Sequence, residues 1–348
     1  MQFFSQFGGK ITPELKERYA KSERWIKKKF YNYERTGIDI KAWEIPQLVY
    51  KQLFSKKGRI PKLPLPILDF DVEQFLSPSE KAKFVWFGHS VLLIRIAGKT
   101  LLIDPMFGPN AAPVSPFAVP RFSENMLDII DTLPPIDLVL LTHDHYDHLD
   151  MASINLLKPK VKQYYVALGA SRHLQKWGIS SDVIREFDWW EQHTFNELNI
   201  TFTPTRHASG RAISDQSCCL WGGWAITSPM EKIWFSGDGG YGSHFTEIGK
   251  QLGPFDFGFL ECGQYNTSWH DIHMYPEEAV QAAEDVGVGK IMPVHWGGFA
   301  LAMHHWKEPI NRFTSEAQKK NYLVSTPPIG QLFSVADRHD QRWWDNFE

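Results

Sequence analysis

The chain has 348 residues, a formal net charge of −3 and 43% hydrophobic residues, which allows one α/β unit with a large core and an appendage. The nearly balanced charge argues against a nucleic-acid-binding protein, and 3 cysteines are too few for a disulfide framework. No apolar run approaches the length of a membrane span, so the composition indicates a cytoplasmic protein.

The N-terminal part of the chain is basic. Residues 1–65 are predicted to form a helical and irregular extension, followed by a domain over residues 66–348. Residues 10–62 contain 15 Lys or Arg and 6 Asp or Glu, which gives +9 here and −12 elsewhere. Glu14–Tyr33 interleaves these charges with aromatic residues, as an amphipathic helix would. This segment is either a helix packed on the body with a solvated basic face, or a surface that contacts anionic membranes peripherally.

The remaining elements follow a strand–helix rhythm. Gly98 predicts a hairpin turn at Ala97–Lys99, and the four prolines of Gly108–Pro120 predict a loop that overhangs a pocket. Pro276 at the start and Gly287 after the end make Pro276–Val286 the clearest helix. The predicted strands are Phe84–Phe87, Val91–Ile96, Thr100–Ile103, Leu138–Leu141, Asn199–Thr203, Ser217–Thr227, Lys232–Phe235, Asp256–Leu260 and Lys290–Val294. The other predicted helices are Leu149–Leu157, Gly169–Trp177 and Phe245–Leu252.

The most informative stretch is THDHYDHLD, which directly follows the apolar run Ile136–Leu141. His143 and His145 share a face if strand geometry persists that far, and Asp147 and His148 fall in the following turn. Imidazole and carboxylate groups suit zinc and similar divalent ions. This spacing favours two neighbouring metals rather than one, and the alternative is a polar loop with scattered histidines.

Three further candidate ligands lie elsewhere in the chain. His207, Asp238 and His295 each follow a short apolar run, so each is expected at the C-terminal end of a strand. That edge is where open α/β sheets place their binding sites.

Taken together, the pattern HxHxDH, an isolated His, an Asp in GD and a late His resembles the metallo-β-lactamase superfamily. Longer blocks resemble the branch that contains N-acyl-phosphatidylethanolamine-hydrolysing phospholipase D and its bacterial relatives, over roughly residues 80–315. These blocks include GHSVLLIRIAGKTLLIDPMF, LPPIDLVLLTHDHYDHLD, FSGDGGYGSHFTEIG and PVHWGGFALAMHHWKEP. The resemblance implies an α/β (α+β) fold, an αββα sandwich of two mixed sheets flanked by helices with the metals at one edge.

Ligand counting and the resemblance agree on two divalent metal ions, with zinc expected and manganese or iron also compatible with these ligands. The first ion is assigned to His143, His145 and His207. The second ion is assigned to Asp147, His148 and His295. Asp238 is assigned as the bridge between them.

Other residues are weaker candidates. His273 precedes a helix and, with Asp147, is expected to be catalytic by contacting a phosphate or carbonyl oxygen; a loop histidine satisfied by backbone is the alternative. His304 or His305 is expected to contact substrate. His89 is expected near the site, either at the substrate or in an orienting or core role.

Arg211 and Asp215 are expected to support the ligands from behind. Cys218 and Cys219 lack the spacing of a zinc knuckle, and alternation along a predicted strand gives them opposite faces, so both are interpreted as structural.

The favoured function is a phosphodiesterase of phospholipase D type, acting on N-acyl-phosphatidylethanolamine-like or related phosphodiesters. Two ions a few ångströms apart make hydroxide available near neutral pH and stabilise growing phosphate charge. The alternatives are a lactone or amide hydrolase and a non-catalytic metal-binding regulatory protein. A long apolar channel near Gly108–Phe122 would favour a lipid, and a small polar cup would favour a sugar lactone.

Overall fold

Two seven-stranded mixed β-sheets form the centre of the molecule. The computed structural model describes residues 5–41, 43–112 and 118–348, so part of the predicted loop Gly108–Pro120 lies outside the described residues. The strands are β1 (Trp25–Ile26), β2 (Lys29–Phe30), β3 (Lys83–Trp86), β4 (Leu92–Ile96), β5 (Lys99–Ile103), β6 (Ile136–Leu141), β7 (Val161–Ala167), β8 (Ile184–Phe187), β9 (Gln192–Phe195), β10 (Leu198–Thr203), β11 (Gly223–Thr227), β12 (Lys232–Phe235), β13 (Phe255–Glu261), β14 (Val288–Val294), β15 (Leu323–Val324) and β16 (Leu332–Ser334). The helices are α1 (Pro13–Tyr19), α2 (Ile45–Phe54), α3 (Val72–Leu76), α4 (Ile129–Thr132), α5 (Met151–Leu157), α6 (Ser171–Lys176), α7 (His244–Leu252), α8 (Pro276–Val286) and α9 (Glu308–Lys319).

The two sheets are built in the same way, each from an antiparallel half and a parallel half. The first has the order β16-β3-β4-β5-β6-β7-β8 and is parallel from β5 to β8. The second has the order β15-β14-β13-β12-β11-β10-β9 and is parallel from β12 to β15. Helix α8 packs on β13 and β14, and α6 packs on β8. The expected architecture of two mixed sheets flanked by helices is confirmed.

Aromatic side chains fill the space between the sheets. Phe84 of β3 stacks on Phe257 of β13, with ring centroids 5.4 Å apart, and meets the edge of Phe259 at 5.2 Å. Offset and edge-to-face contacts of this kind add to the free energy gained by burying the rings. They hold the two sheets in one fixed relation, and this relation sets which loops meet at the edge.

The predicted hairpin turn is confirmed. Ile96 pairs with Lys99, and the two residues between them, Ala97 and Gly98, have φ values of 46° and 66°. Two positive φ values match the turn whose twist suits a two-residue hairpin.

The predicted helix over Glu14–Tyr33 is wrong beyond Tyr19. The chain instead forms the β1–β2 hairpin, with Lys27 and Lys28 in its turn at φ values of 49° and 67°. The aromatic residues that suggested one helical face meet because the hairpin folds back. The ring of Trp25 lies 4.4 Å from that of Tyr19 and 4.8 Å from that of Phe30.

The N-terminal extension packs into the same core as the sheets. Tyr19 is fully buried and donates a hydrogen bond from its hydroxyl to the carbonyl of Cys218. Asn32 exchanges two hydrogen bonds with the backbone of His207, at 2.8 and 3.1 Å. Because these contacts cross the proposed boundary at residue 65, the division into two parts stays a prediction.

The strand predicted over Ser217–Thr227 begins only at Gly223. Cys218 and Cys219 therefore lie in the loop before β11, and the prediction that they alternate along a strand is wrong. Both are buried free thiols.

Several elements were not predicted, namely β7, β8, β9, β15, β16, α3, α4 and α9. Strands β15 and β16 have only 2 and 3 residues, and pairing with a neighbouring strand is what makes them strands. Among the described helices, none combines the length and apolar character that crossing a membrane requires.

Candidate metal centre

Three imidazole nitrogens converge at the end of β6. His145 Nδ1 lies 3.0 Å from His143 Nε2 and 3.2 Å from His207 Nε2. His143 and His145 follow β6 of the first sheet, whereas His207 follows β10 of the second. Nitrogens bound about 2.0–2.1 Å from one tetrahedral zinc would lie about 3.3 Å from each other. The spacing of these three nitrogens fits three ligands of a single ion.

A second cluster lies beside the first. The Oδ2 atom of Asp147 is 3.4 Å from His148 Nε2 and 3.9 Å from His295 Nε2. Asp147 and His148 belong to the turn after β6, and His295 directly follows β14. This group could hold another ion.

Asp238 lies between the two clusters. On one side its Oδ2 atom is 2.9 Å from His148 Nε2, and its Oδ1 atom is 3.2 Å from His295 Nδ1. On the other side Oδ2 is 3.9 Å from His143 Nε2 and 4.0 Å from His207 Nε2. This buried carboxylate, in the loop after β12, is the group that approaches both sets of nitrogens.

The state of the histidines fits bound cations. Burial, reinforced by neighbouring imidazoles, holds the pKa values of His143, His207 and His295 well below 6.5. Their rings are therefore neutral at pH 7 and have lone pairs to offer a metal. The Nε2 atoms of His148 and His295 are buried without a hydrogen-bond partner of suitable geometry, which a metal bond would explain.

The carboxylates give the same result. Burial raises the pKa of Asp238 to about 7, so an adjacent cation is what would keep it ionised. Burial disfavours a charged His148, but the carboxylates of Asp238, Asp147 and Asp104 outweigh burial and raise its pKa, so a metal bound at its Nε2 atom would have to displace a proton. The donors present fit two divalent ions.

A layer of hydrogen bonds behind the ligands fixes their rings. Asp104, after β5, accepts from the backbone and hydroxyl of Thr142 and lies 2.7 Å from His148 Nδ1. His207 Nδ1 lies 2.8 Å from the carbonyl of Ile272. Such partners orient an imidazole and raise its basicity as a ligand.

Some of the strained backbone of the chain lies at this edge. His89, Asp104 and His295 have φ values of 54°, 41° and 63°, in the left-handed region that non-glycine residues rarely adopt. Each of these residues contacts a candidate ligand or is one, which is where proteins retain such strain.

His89 lies behind Asp147 in an orienting position. Its Nε2 atom is 2.9 Å from Asp147 Oδ2, and burial lowers its pKa to about 4, so the neutral ring donates to the carboxylate. This arrangement favours the orienting role that the sequence left open over substrate binding.

His273 is held at the edge of the site by a buried glutamate. Its Nδ1 atom lies 2.8 Å from Glu261 Oε2, and the backbone amides of Gly239 and Met274 donate to Glu261 Oε1. The ring stacks on His295 with centroids 5.3 Å apart. With Nδ1 engaged, Nε2 is the nitrogen left for a substrate.

A cavity of about 240 Å³ opens onto these groups. Its floor includes His145, Asp147, Asp238, His273 and His295. Its walls are mainly apolar and come from the N-terminal extension and from two loops of the body. The wall residues are Ile38, Ile40, Gln264, Trp269, Ile272 and Leu301.

The substrate contacts predicted for His304 and His305 are not seen at this cavity. His304 Nε2 accepts from the amide of Gln264, and its Nδ1 lies 3.0 Å from the carbonyl of His305. His305 is exposed and packs beside Gly58. Neither ring is among the described residues that line the cavity.

Arg211 supports the HxHxDH turn directly. Its buried guanidinium donates to the carbonyls of Asp144 and Leu149, at 2.8 and 2.7 Å, and so spans the HxHxDH turn. Asp215 pairs with Arg172 at 2.9 Å, and Arg172 also contacts Asp144. Both predicted supporting residues thus lie behind the motif.

Asp104 and Glu261 were not singled out in the sequence. Both follow or end an apolar strand, as the candidate ligands do, and that signal could have found them. Many strands end in a carboxylate, so only their contacts with His148 and His273 distinguish Asp104 and Glu261 from the rest.

Comparison with known proteins identifies the family of the chain. A family model described as a beta-lactamase superfamily domain matches residues 99–296. An uncharacterized protein of Mycobacterium tuberculosis is 37% identical over 319 residues, covering 90% of this chain and 83% of that protein. N-acyl-phosphatidylethanolamine-hydrolyzing phospholipase D 1 of Caenorhabditis elegans is 29% identical over 293 residues, covering 79% of this chain and 81% of that protein.

Solved structures share the fold. Igni18, described as a novel metallo hydrolase from Ignicoccus hospitalis, superposes with a TM-score of 0.57 at 19% identity, covering 73% of this chain and 98% of that one. The family model spans more than half of the chain, and its range includes every candidate metal ligand. The chain therefore belongs to the metallo-β-lactamase superfamily of metal-dependent hydrolases, as its motifs predicted.

Proposed function

We propose that this protein is a binuclear phosphodiesterase of phospholipase D type that acts on N-acyl-phosphatidylethanolamine-like or related phosphodiesters. The observation that carries the proposal is the position of Asp238, within 4.0 Å of histidines in both clusters. A carboxylate placed in this way can serve two ions at once. Zinc is the proposed metal, and manganese or iron would accept the same ligands.

The ligand assignment follows the two clusters. The first ion would be held by His143, His145 and His207. The second ion would be held by Asp147, His148 and His295, with Asp238 shared. Two bound ions would supply Lewis acidity for the phosphate oxygens and a water acidic enough to ionise near neutral pH.

The protein's own groups would position the substrate and move protons. Asp147 lines the cavity, and His89 contacts its carboxylate, which supports a role for Asp147 in orienting the attacking water and accepting its proton. His273 Nε2 would donate a hydrogen bond to a phosphate oxygen or to the departing alcohol oxygen. Glu261 would keep the His273 ring in that orientation.

The apolar walls of the cavity support a lipid substrate over a small polar lactone, because Ile38, Ile40 and Leu301 offer nothing to a sugar hydroxyl. The channel expected near Gly108–Phe122 lies partly outside the described residues and stays a prediction. The printed name of the Caenorhabditis elegans relative supports the same substrate class. We also propose that the protein is cytoplasmic, where buried free thiols persist, and contacts anionic membranes peripherally through its basic N-terminal segment.

The test uses zinc-loaded protein and vesicles that contain N-acyl-phosphatidylethanolamine, in water labelled with heavy oxygen. We expect free N-acylethanolamine and phosphatidate that carries the label, because the attack is on phosphorus. Hydrolysis of lactones or amides without phosphodiester cleavage would favour the alternative enzyme. Failure to cleave lipid, lactone, amide and bis-p-nitrophenyl phosphate alike, with both metals bound, would favour a regulatory protein.

A further inference from the structure

Large apolar side chains are exposed together in one short part of the N-terminal extension. Trp43 is 75% exposed, Phe54 69% and Tyr50 63%. Ile45 and Val49 are exposed beside them on α2. We call Trp43, Ile45, Val49, Tyr50 and Phe54 the apolar patch. A contiguous patch of this kind on a soluble protein marks an interaction surface.

The geometry of α2 makes the patch continuous. Ile45 and Val49 are four residues apart, as are Tyr50 and Phe54, so each pair is adjacent along the helix surface. Exposed Pro46 lies three residues before Val49 and four before Tyr50, so it joins the two pairs. The rings of Tyr50 and Phe54 lie 5.1 Å apart. Trp43 precedes the helix by two residues, and the ammonium of Lys41 lies 5.6 Å from its ring centroid.

The charge around the patch is positive. Residues 38–62 contain 6 Lys or Arg and 2 Asp or Glu, a net charge of +4, whereas the whole chain carries −3. Lys41, Lys51, Lys56 and Lys57 are exposed. Aromatic side chains bordered by exposed lysines match the surfaces that enter the headgroup region of anionic bilayers. A second copy of the same patch would place like charges together.

The patch is bonded to the walls of the metal cavity. Gln52 of α2 donates to the carbonyl of Ala300 at 3.1 Å. The buried guanidinium of Arg59 donates to the carbonyls of Ala300 and Ala302, at 3.1 and 2.9 Å. These carbonyls flank Leu301, which lines the cavity. Ile38, which precedes the patch in the sequence, also lines the cavity.

We propose that the apolar patch inserts into the headgroup layer of an anionic bilayer and places the cavity entrance at the lipid surface. The placement rests on the proposed function, because it gives a lipid phosphodiester a short path to the metals. Binding itself does not depend on catalysis, so the two can fail separately. The basic charge attracts the surface, and burial of the aromatic rings holds the protein there.

The experiment compares the full-length protein with the triple variant Trp43→Ser, Tyr50→Ser, Phe54→Ser. A matched control replaces exposed apolar residues on other elements: Leu156→Ser, Ile213→Ser, Met230→Ser. Co-sedimentation with vesicles of phosphatidylcholine and phosphatidylglycerol measures binding. Hydrolysis of bis-p-nitrophenyl phosphate, which needs no membrane, measures the metal centre. Sedimentation velocity without lipid measures the oligomeric state.

We expect the patch variant to bind vesicles at least about tenfold more weakly, because three aromatic rings no longer enter the interface. Its hydrolysis of bis-p-nitrophenyl phosphate should match the parent, and the control variant should bind normally. Equal binding by parent and patch variant would overturn the proposal. A parent that ignores vesicles but loses a dimer on substitution would assign the patch to a second copy instead. Vesicle binding without any hydrolysis would sink the proposed enzyme and leave the docking surface standing.

Discussion

Asp238 is the residue proposed to serve both candidate clusters. Replacing it with Ala removes the oxygens that lie within 4.0 Å of nitrogens on both sides. We therefore expect Asp238→Ala to lose both metals and hydrolytic activity together, measured by elemental analysis and by phosphodiester hydrolysis. Asp182→Asn, at an exposed carboxylate, is the control and should keep both ions. Loss of one ion with hydrolysis intact would show that Asp238 is not the bridge.

His273 and Glu261 are proposed to act at the substrate side of the site rather than on the metals. His273→Ala should retain both ions and lower kcat by about 10²–10⁴, the range for a positioned acid or base. Burial raises the pKa of the Glu261 carboxyl well above its usual range, so this carboxyl can donate its proton to His273 Nδ1 and leave a proton on Nε2. Glu261→Gln keeps a donor at that position, so we expect a smaller loss of kcat than for His273→Ala. Normal kinetics for His273→Ala on the lipid substrate would return this histidine to a structural role.

Single residues also set how the protein responds to acid. His244, at the start of α7, is buried, and burial lowers its pKa to about 3 against the pull of Glu34. The unfolded chain takes up this proton below about pH 6.5, whereas the folded chain does not, so stability falls as the pH falls. From pH 7 to pH 5 this one group costs about 2 kcal/mol.

His244→Leu should therefore reduce the acid sensitivity of the free energy of unfolding by about that amount. Urea unfolding of parent and variant at the two pH values measures the difference. An identical pH dependence in both proteins would mean that His244 is charged or solvated in the folded state.

At the scale of elements, the sequence is most informative where a strand is a continuous apolar run or where a turn has a defined chemistry. The runs before His143, Asp238 and His295 were recognised, and so was the turn at Gly98. The β1–β2 hairpin was predicted as a helix because the spacing of its lysines and aromatic residues fits both the 3.6-residue period of a helix and the two-residue period of a strand. Strands β9, β15 and β16 have no such signal, because their partners supply the pairing that defines them.

The β4–β5 turn allows a test of backbone strain without packing effects. Gly98 has a φ of 66°, and an added Cβ would meet no atom within 4 Å. Gly98→Ala should therefore cost about 1–2 kcal/mol of stability through the left-handed backbone alone. Gly37→Ala is the matched control, because Gly37 also has open space but no left-handed φ, and it should be neutral or slightly stabilising. Thermal unfolding of both variants measures this, and equal shifts would refute the strain argument.

At the scale of the molecule, the strand pattern predicts the candidate ligands, but their grouping into two clusters was predicted only with the help of the family resemblance. Strand ends reveal candidate ligands one at a time, whereas the packing of one sheet on the other decides which ends face each other. The apolar walls of the cavity were not predicted either, because they too depend on how separate parts of the chain pack together. Ile38 and Ile40 belong to an extension whose path over the body depends on contacts such as Asn32 with His207.

The two sheets supply candidate ligands to one site, so metal binding there should stabilise the fold as a whole. His143, His145, Asp147 and His148 come from the first sheet, and His207, Asp238 and His295 come from the second. A ligand present at 100 times its Kd stabilises the folded state by about 2.7 kcal/mol. Chelation should therefore lower the Tm by about 5 °C, and added zinc should restore it. The Tm of Asp238→Ala should not respond to chelator, since its sites are already empty. If the metal-free parent instead has the same Tm as the metal-loaded protein, metal binding does not stabilise the packing of the two sheets.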